Sequence, residues 1–90
     1  MSLNFENYAI PEYMQGGLQR YLEEHIRPGD FLEAVICNDL RGAAVRADDI
    51  NIHLLGEYMK WFYNEVPITC WGSPENYKAW IENKQEVEGE

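Results

Sequence analysis

The stretch Ile50–Pro67, INIHLLGEYMKWFYNEVP, decides the fold. Leu55, Tyr58 or Met59, Phe62 and Val66 recur at steps of three and four, the spacing of one helix face. Leu54, Trp61 and Tyr63 carry the apolar surface well beyond a single stripe. A helix that is apolar over most of its circumference belongs in the middle of a domain. The spacing therefore predicts a central helix at about 50–65. Pro67 closes it, because proline disfavours helical geometry in the residue before it, here Val66.

On the N-terminal side, Asp48-Asp49 supplies a cap for that helix. Before it lie Leu40, Ala43, Ala44 and Ala47, a short small-residue helix expected from about Asp39 to Ala47 and packed through those four. Asn38-Asp39 interrupts the run Phe31, Leu32, Val35, Ile36 and Leu40, because short polar side chains compete for backbone hydrogen bonds. Residues 30–47 thus read as one bent helix or two. Asp30 is an N-cap with Glu33 three residues on, a capping-box arrangement. Further upstream, Pro11 suits the first turn of a helix and Glu12 its positive end. Met14, Leu18, Tyr21, Leu22 and His25 or Ile26 mark the buried face. Gly16-Gly17 weakens this helix by roughly 1–2 kcal/mol against alanine, so it either starts late or lets another backbone pack closely.

On the C-terminal side, Ile68 to Gly72 is a linker. Ser73, Pro74 and Glu75 then place a hydroxyl cap, a proline and an acid in the order that starts a helix. That helix is expected to run to about Asn83 with Tyr77, Trp80 and Ile81 inward. No stretch alternates with period two. The expected fold is all-α, a compact bundle of four or five short helices around the central one. Residues 1–10 form an irregular arm, 11–83 a single helical domain, and 84–90 a frayed acidic tail.

Ninety residues bury a limited fraction of their surface, and 3 Trp, 6 Tyr and 3 Phe supply bulky material for a dense core. The net charge of −9 opposes direct binding to nucleic acid, where Lys and Arg must displace counterions. It equally opposes docking on anionic membranes. From Glu82 onward four Glu and one Lys place −3 of that charge in the tail. The rest is interspersed with basic residues, as solvated surface is. The first residues lack the basic region and apolar run of an export signal, and no stretch is long enough to span a membrane. Two cysteines, Cys37 and Cys70, suit a reducing cytosol.

The chemistry-bearing motifs are sparse. His25, Cys37, His53 and Cys70 are too widely spaced to form the close pairs of a structural zinc site. Cys70-Trp71-Gly72-Ser73 lacks the order and context of a cysteine-protease nucleophile, and Trp71 reads better as a plug between helices. Asp48-Asp49 lies where carboxylates cap helices. There is no phosphate-binding loop and no Ser-His-Asp set. No cofactor or metal is expected, and the chain reads as a non-enzyme. Asn38, Asp39, Arg46, Asp48 and Asn64 sit beside core residues and must find hydrogen bonds if buried. Arg46 pairing with Asp39 or Asp48, and Asn64 capping a neighbouring helix end, would satisfy them.

Several blocks in one order, Pro28-Gly29-x-Phe31-Leu32-x-Ala34-Val35, Asn38-Asp39-Leu40, Arg46-Ala47-Asp48, Tyr63-Asn64-Glu65-x-Pro67 and Trp71-Gly72-Ser73-Pro74, resemble a group of small phage- and prophage-encoded proteins. The resemblance spans about Gly16 to Ile81. It implies a bacterial-virus setting and a cytoplasmic location in the bacterial host cell, and it carries no activity and no site residues.

The functional expectation is a small acidic protein-interaction module, with a homodimer left open. The aromatic corner Trp61, Tyr63, Asn64, Trp71 and Tyr77 is the expected contact surface, since such residues dominate interface energetics. The alternative is an acidic decoy of nucleic acid that binds a basic host or phage protein, with Glu23, Glu24, Glu33, Asp39, Asp48 and Asp49 gathered on one side. A small enzyme or metal protein is the remote third reading.

Overall fold

A computed structural model describes residues 3–88, with side chains to residue 83. Among them are five α-helices, two 3-10 turns and no strand, so the all-α expectation holds. Helix α1 spans Glu12–Glu24 and begins directly after Pro11. It runs straight through both glycines. Gly17 lies against α2, where an added Cβ would sit 3.3 Å from Leu32 Cδ1. The glycine pair thus marks a close approach rather than a late start. His25 ends α1 in the left-handed region at φ 58°, with its N–H on the Tyr21 carbonyl and the next N–H on that of Arg20.

Helix α2 spans Asp30–Ile36 and α3 spans Leu40–Arg46. They are two helices, because Asn38 turns left-handed at φ 63° and Asp39 restarts the chain by accepting the Gly42 N–H at 3.0 Å. The capping box at Asp30 does not form. Gly29 is the cap and Asp30 the first helical residue, while the Glu33 carboxylate is drawn away by donors on Tyr77 and Arg27. The buried residues of α3 also differ from expectation. Gly42 and Ala43 face the core, whereas Leu40 is 71% exposed and Ala44 is exposed too. The bend at Asn38 turns the smallest side chains inward, which allows the close approach of this short helix.

The central element begins more tightly than its periodicity implies. Asp48 accepts the N–H groups of Ile50 at 3.1 Å and Asn51 at 2.7 Å, and these start a 3-10 turn at Asn51–Leu54. Helix α4 follows at Leu55–Glu65 and stops at an extended Val66 before Pro67. A second 3-10 turn, Ile68–Cys70, leads to α5 at Pro74–Glu88. Ser73 caps α5 through the Asn76 N–H at 3.1 Å, as its sequence predicts. The helix passes its expected end at Asn83 and continues through residues where a frayed tail is expected; Gly89 and Glu90 lie outside the described residues.

The core gathers Leu18, Tyr21 and Leu22 of α1, five residues of α2, Ala43, and Tyr58, Trp61 and Phe62 of α4. Its aromatic rings keep their polar tips satisfied. Tyr21 donates to the Cys70 carbonyl and Tyr58 to Asn51 Oδ1. Tyr8, Tyr13 and Tyr77 each donate to a carboxylate, of Glu65, Asp48 and Glu33. The indoles of Trp61, Trp71 and Trp80 donate to the carbonyls of Asn4, Val66 and Tyr21. Tyr63 is the most exposed of the six tyrosines at 80%, ahead of Tyr13 at 58%.

Candidate functional site

The five residues expected to form a contact surface divide. Trp61, Trp71 and Tyr77 are buried, and only Tyr63 and Asn64 are exposed. Trp71 fills a gap beside Phe62 at a ring separation of 5.3 Å. Tyr77 stacks on Tyr21 at 5.7 Å. Trp61 is covered by the N-terminal arm, which is irregular as expected. Phe5 lies flat on the indole with ring centres 4.9 Å apart and planes 7° off parallel. The Trp61 end of the expected aromatic corner is thus closed by a part of the chain whose sequence has no period to announce it.

Helix α4 carries two further flanks on either side of its buried Tyr58 and Phe62. One is the arm-covered set Glu57, Trp61 and Glu65, each four residues apart. The other is Leu55, Met59 and Tyr63, again at four-residue steps. Leu55 and Met59 form one wall of an apolar groove of about 180 Å³. Ala34, Val35, Leu40 and Ala43 line the rest of it, together with the polar Asn38 and Asp39. The groove is the candidate site. Its position follows from the fold: the bend at Asn38 swings α3 away from α4 and leaves Leu40 without a cover.

Sequence periodicity assigns Leu40, Leu55 and Met59 to the core; Leu55 and Met59 do pack against it, half-buried, whereas Leu40 is exposed. The available signal was weak: Leu40 directly follows the Asn38-Asp39 break, where a short helix can rotate its first residue outward.

Two polar clusters surround the core, and the first borders a second, more open pocket of about 430 Å³ that Cys37, Pro74, Tyr77 and Ile81 also line. In one, Glu33 Oε1 accepts the Tyr77 hydroxyl at 2.6 Å and Arg27 Nη2 at 3.1 Å. These bonds hold the Glu33 carboxyl below its ordinary pKa, the Tyr77 bond first, while burial pushes the Tyr77 phenol up to about 12. In the other, Asp48 caps the 3-10 turn, accepts the exposed Tyr13 hydroxyl at 2.7 Å, and is held below its usual value chiefly by the Asn51 N–H. Asn51 is the one buried polar side chain among the described residues, and sequence reasoning passed over it. The ion pair expected of Arg46 with Asp39 or Asp48 is not formed; its Nη1 donates instead to the Gly42 carbonyl at 3.3 Å. Asn64 is exposed and supplies none of the helix caps seen among the described residues; Ser73 caps α5 as its own position predicts. Both thiols are free and pushed up by burial, so Cys37 and Cys70 stay protonated at neutral pH. No group of three His, Cys, Asp or Glu side chains that could hold a metal occurs among the described residues.

Comparison with protein-family models, with curated proteins and with solved structures finds no match to this chain.

The lowered carboxyls set the pH response. Glu33, Asp48 and Glu57 all ionise more readily folded than unfolded, Glu57 chiefly because it accepts the Ala9 N–H. Their contribution is complete above the usual carboxylate range and is lost as pH falls through the lower folded values. The urea midpoint is therefore expected to drop between about pH 7 and about pH 3. An unchanged or rising midpoint would show that these bonds contribute nothing to folding.

Proposed function

We propose that this chain is a non-catalytic protein-binding module whose contact surface is the groove between α3 and α4, extended along α4 to Tyr63. The supporting observation is Leu40. A leucine 71% exposed at the edge of an apolar groove, in line with half-buried Leu55 and Met59, leaves apolar surface that a partner side chain can cover. The groove's size suits one or two aliphatic or aromatic anchors, the kind of feature that dominates protein interfaces. The stripe from Leu55 to Tyr63 is roughly 12 Å long at 1.5 Å per residue, enough to meet two turns of a partner helix.

The setting follows the resemblance to small phage- and prophage-encoded proteins: the module acts in the cytoplasm of a bacterium, on a host or phage protein. No helix among the described residues is long and apolar enough to cross a membrane, which is compatible with that location. A protein contact is favoured over a nucleic-acid decoy because three of the six carboxylates a decoy would present are engaged internally. Glu33 holds Tyr77 and Arg27, Asp39 caps α3, and Asp48 holds Tyr13 and its turn.

The test is a quantitative affinity capture from bacterial lysate with the native chain and with Leu40→Glu/Tyr63→Glu. Both positions are exposed, so stability should move by less than about 0.5 kcal/mol. A partner captured through the groove should be depleted at least about tenfold by the double variant, since losing one anchor costs about 2 kcal/mol or more. Capture that is equal with both proteins, or no enriched partner at any salt concentration, overturns the proposal. A second copy of the chain as partner would appear as a concentration-dependent dimer abolished by the same substitutions.

A further inference from the structure

The opposite flank of α4, under the arm, has a chemistry that the arm itself uses only in part. Glu57, Trp61 and Glu65 succeed one another at four-residue steps, an acid, an indole and an acid along one stripe. The arm meets all three with neutral groups. The Ala9 N–H donates to Glu57 Oε1 at 3.1 Å and the Tyr8 hydroxyl to Glu65 Oε2 at 2.7 Å. The Asn4 carbonyl accepts the Trp61 Nε1–H at 2.8 Å, and Phe5 covers the ring. Residues 3–9 contain no Lys or Arg, and their one charged side chain is Glu6. The only cation given to this stripe is Lys60, 3.5 Å from Glu57 and largely exposed; Glu65 belongs to neither of the two ion pairs among the described residues.

The arm is held through the side chains of Leu3, Phe5 and Tyr8, which pack against the core, rather than through regular structure. It has no helix or strand, Asn4, Glu6, Asn7 and Ala9 are exposed, and its described internal backbone bond is a single turn from the Tyr8 N–H to the Phe5 carbonyl at 3.3 Å. Such segments open at the low end of a protein's stability range.

We propose that residues 3–9 are a displaceable strap over a second docking face, and that this face takes an arginine-bearing peptide segment of a basic partner. A guanidinium can stack on the indole where Phe5 now lies and donate charged hydrogen bonds to the flanking carboxylates. Charged donors bind a carboxylate more strongly than the amide and phenol they replace. The segment's own carbonyl can take over the Trp61 Nε1–H from Asn4. The arm therefore competes with the ligand: tethered to the body, it holds the face closed in most molecules, and apparent affinity is reduced by the closed fraction.

The experiment titrates the full chain with acetyl-Gly-Arg-Gly-Arg-Gly-amide and follows the indole cross-peak of Trp61 in a proton–nitrogen correlation spectrum. The citrulline counterpart, of the same shape without charge, is the control ligand. Phe5→Ala should tighten arginine-peptide binding about tenfold by raising the open fraction. Tyr8→Phe, which removes only the Glu65 bond, should tighten it by a smaller factor and serves if the first variant is poorly folded. Glu57→Gln/Glu65→Gln should weaken it about tenfold, whereas Glu23→Gln/Glu24→Gln, with the same change in net charge, should leave it within about twofold. Equal weakening by the two double variants, equal binding of the citrulline peptide, or indifference to both strap variants overturns the proposal. Leu40→Glu/Tyr63→Glu should not affect this titration, so failure here and failure of the groove are separately visible.

Discussion

Trp61→Ala is expected to destabilise the fold by about 3–5 kcal/mol, the cost of removing a large buried aromatic. The side chain has no solvent exposure, faces Phe62 edge-on at 5.0 Å, and supports Phe5 on its other side. Truncation opens a cavity, frees the Asn4 carbonyl, and leaves the arm with nothing to lie on. For a chain of this length the whole stability is on the order of 10 kcal/mol or less, so a large share disappears at once. Each kcal/mol lowers the melting temperature by about 4–8 °C in a domain of this size. Tyr63→Ala, two residues on, is the internal comparison. It should stay within about 0.5 kcal/mol. Chemical denaturation of both variants decides the matter: a Trp61→Ala loss below about 1.5 kcal/mol would mean that the arm does not bury the indole in solution.

Asn51→Ala is the second large effect, and its cause is polar. The Tyr58 hydroxyl is buried and donates to Asn51 Oδ1 at 2.6 Å; Asn51 Nδ2 in turn donates to the Tyr13 hydroxyl at 3.3 Å. Removing the amide strands that hydroxyl, a penalty of about 1–3 kcal/mol, and removes one of the two bonds by which Tyr13 of α1 meets this region. Tyr58→Phe removes the donor and leaves the Asn51 oxygen unsatisfied, at a similar cost. The double variant should lose clearly less than the two single losses combined, because neither group remains to be stranded. Strict additivity in that cycle would mean that water already satisfies both groups and that no direct bond is formed.

The fold was readable where one interaction settles the local structure. Ser73-Pro74-Glu75 starts α5, and Pro67 ends α4 by acting on Val66. Asp39 caps α3, although from the sequence its neighbourhood was as consistent with a bend as with a break; the left-handed backbone of Asn38 separates the helices. Where competition between distant groups decides, local reading failed. Glu33 has the spacing of a capping-box acid and instead holds Tyr77 of α5. Leu40 has the spacing of a core residue and is turned outward by the bend before it. The aromatic corner was legible as composition, yet which of its rings remain outside depends on an arm that packs through single residues rather than through a period. Of those five residues Tyr63 and Asn64 stay exposed, and the groove lined by Leu55 and Met59 emerges only when α2, α3 and α4 are in place.

The aromatic tips described in the core have a consequence for how the molecule comes apart. Eight of the nine tyrosine and tryptophan side chains donate to a named acceptor, and those acceptors lie on other segments or on the turns that join them. Greasy contacts survive sliding and swelling, but directional bonds do not. A loosened globule that kept its helices would forfeit this whole set together, with little left to hold it half-open. Outside the arm, with its Tyr8 and Trp61 bonds, helical content and fixed ring environments should therefore vanish along one common denaturation curve.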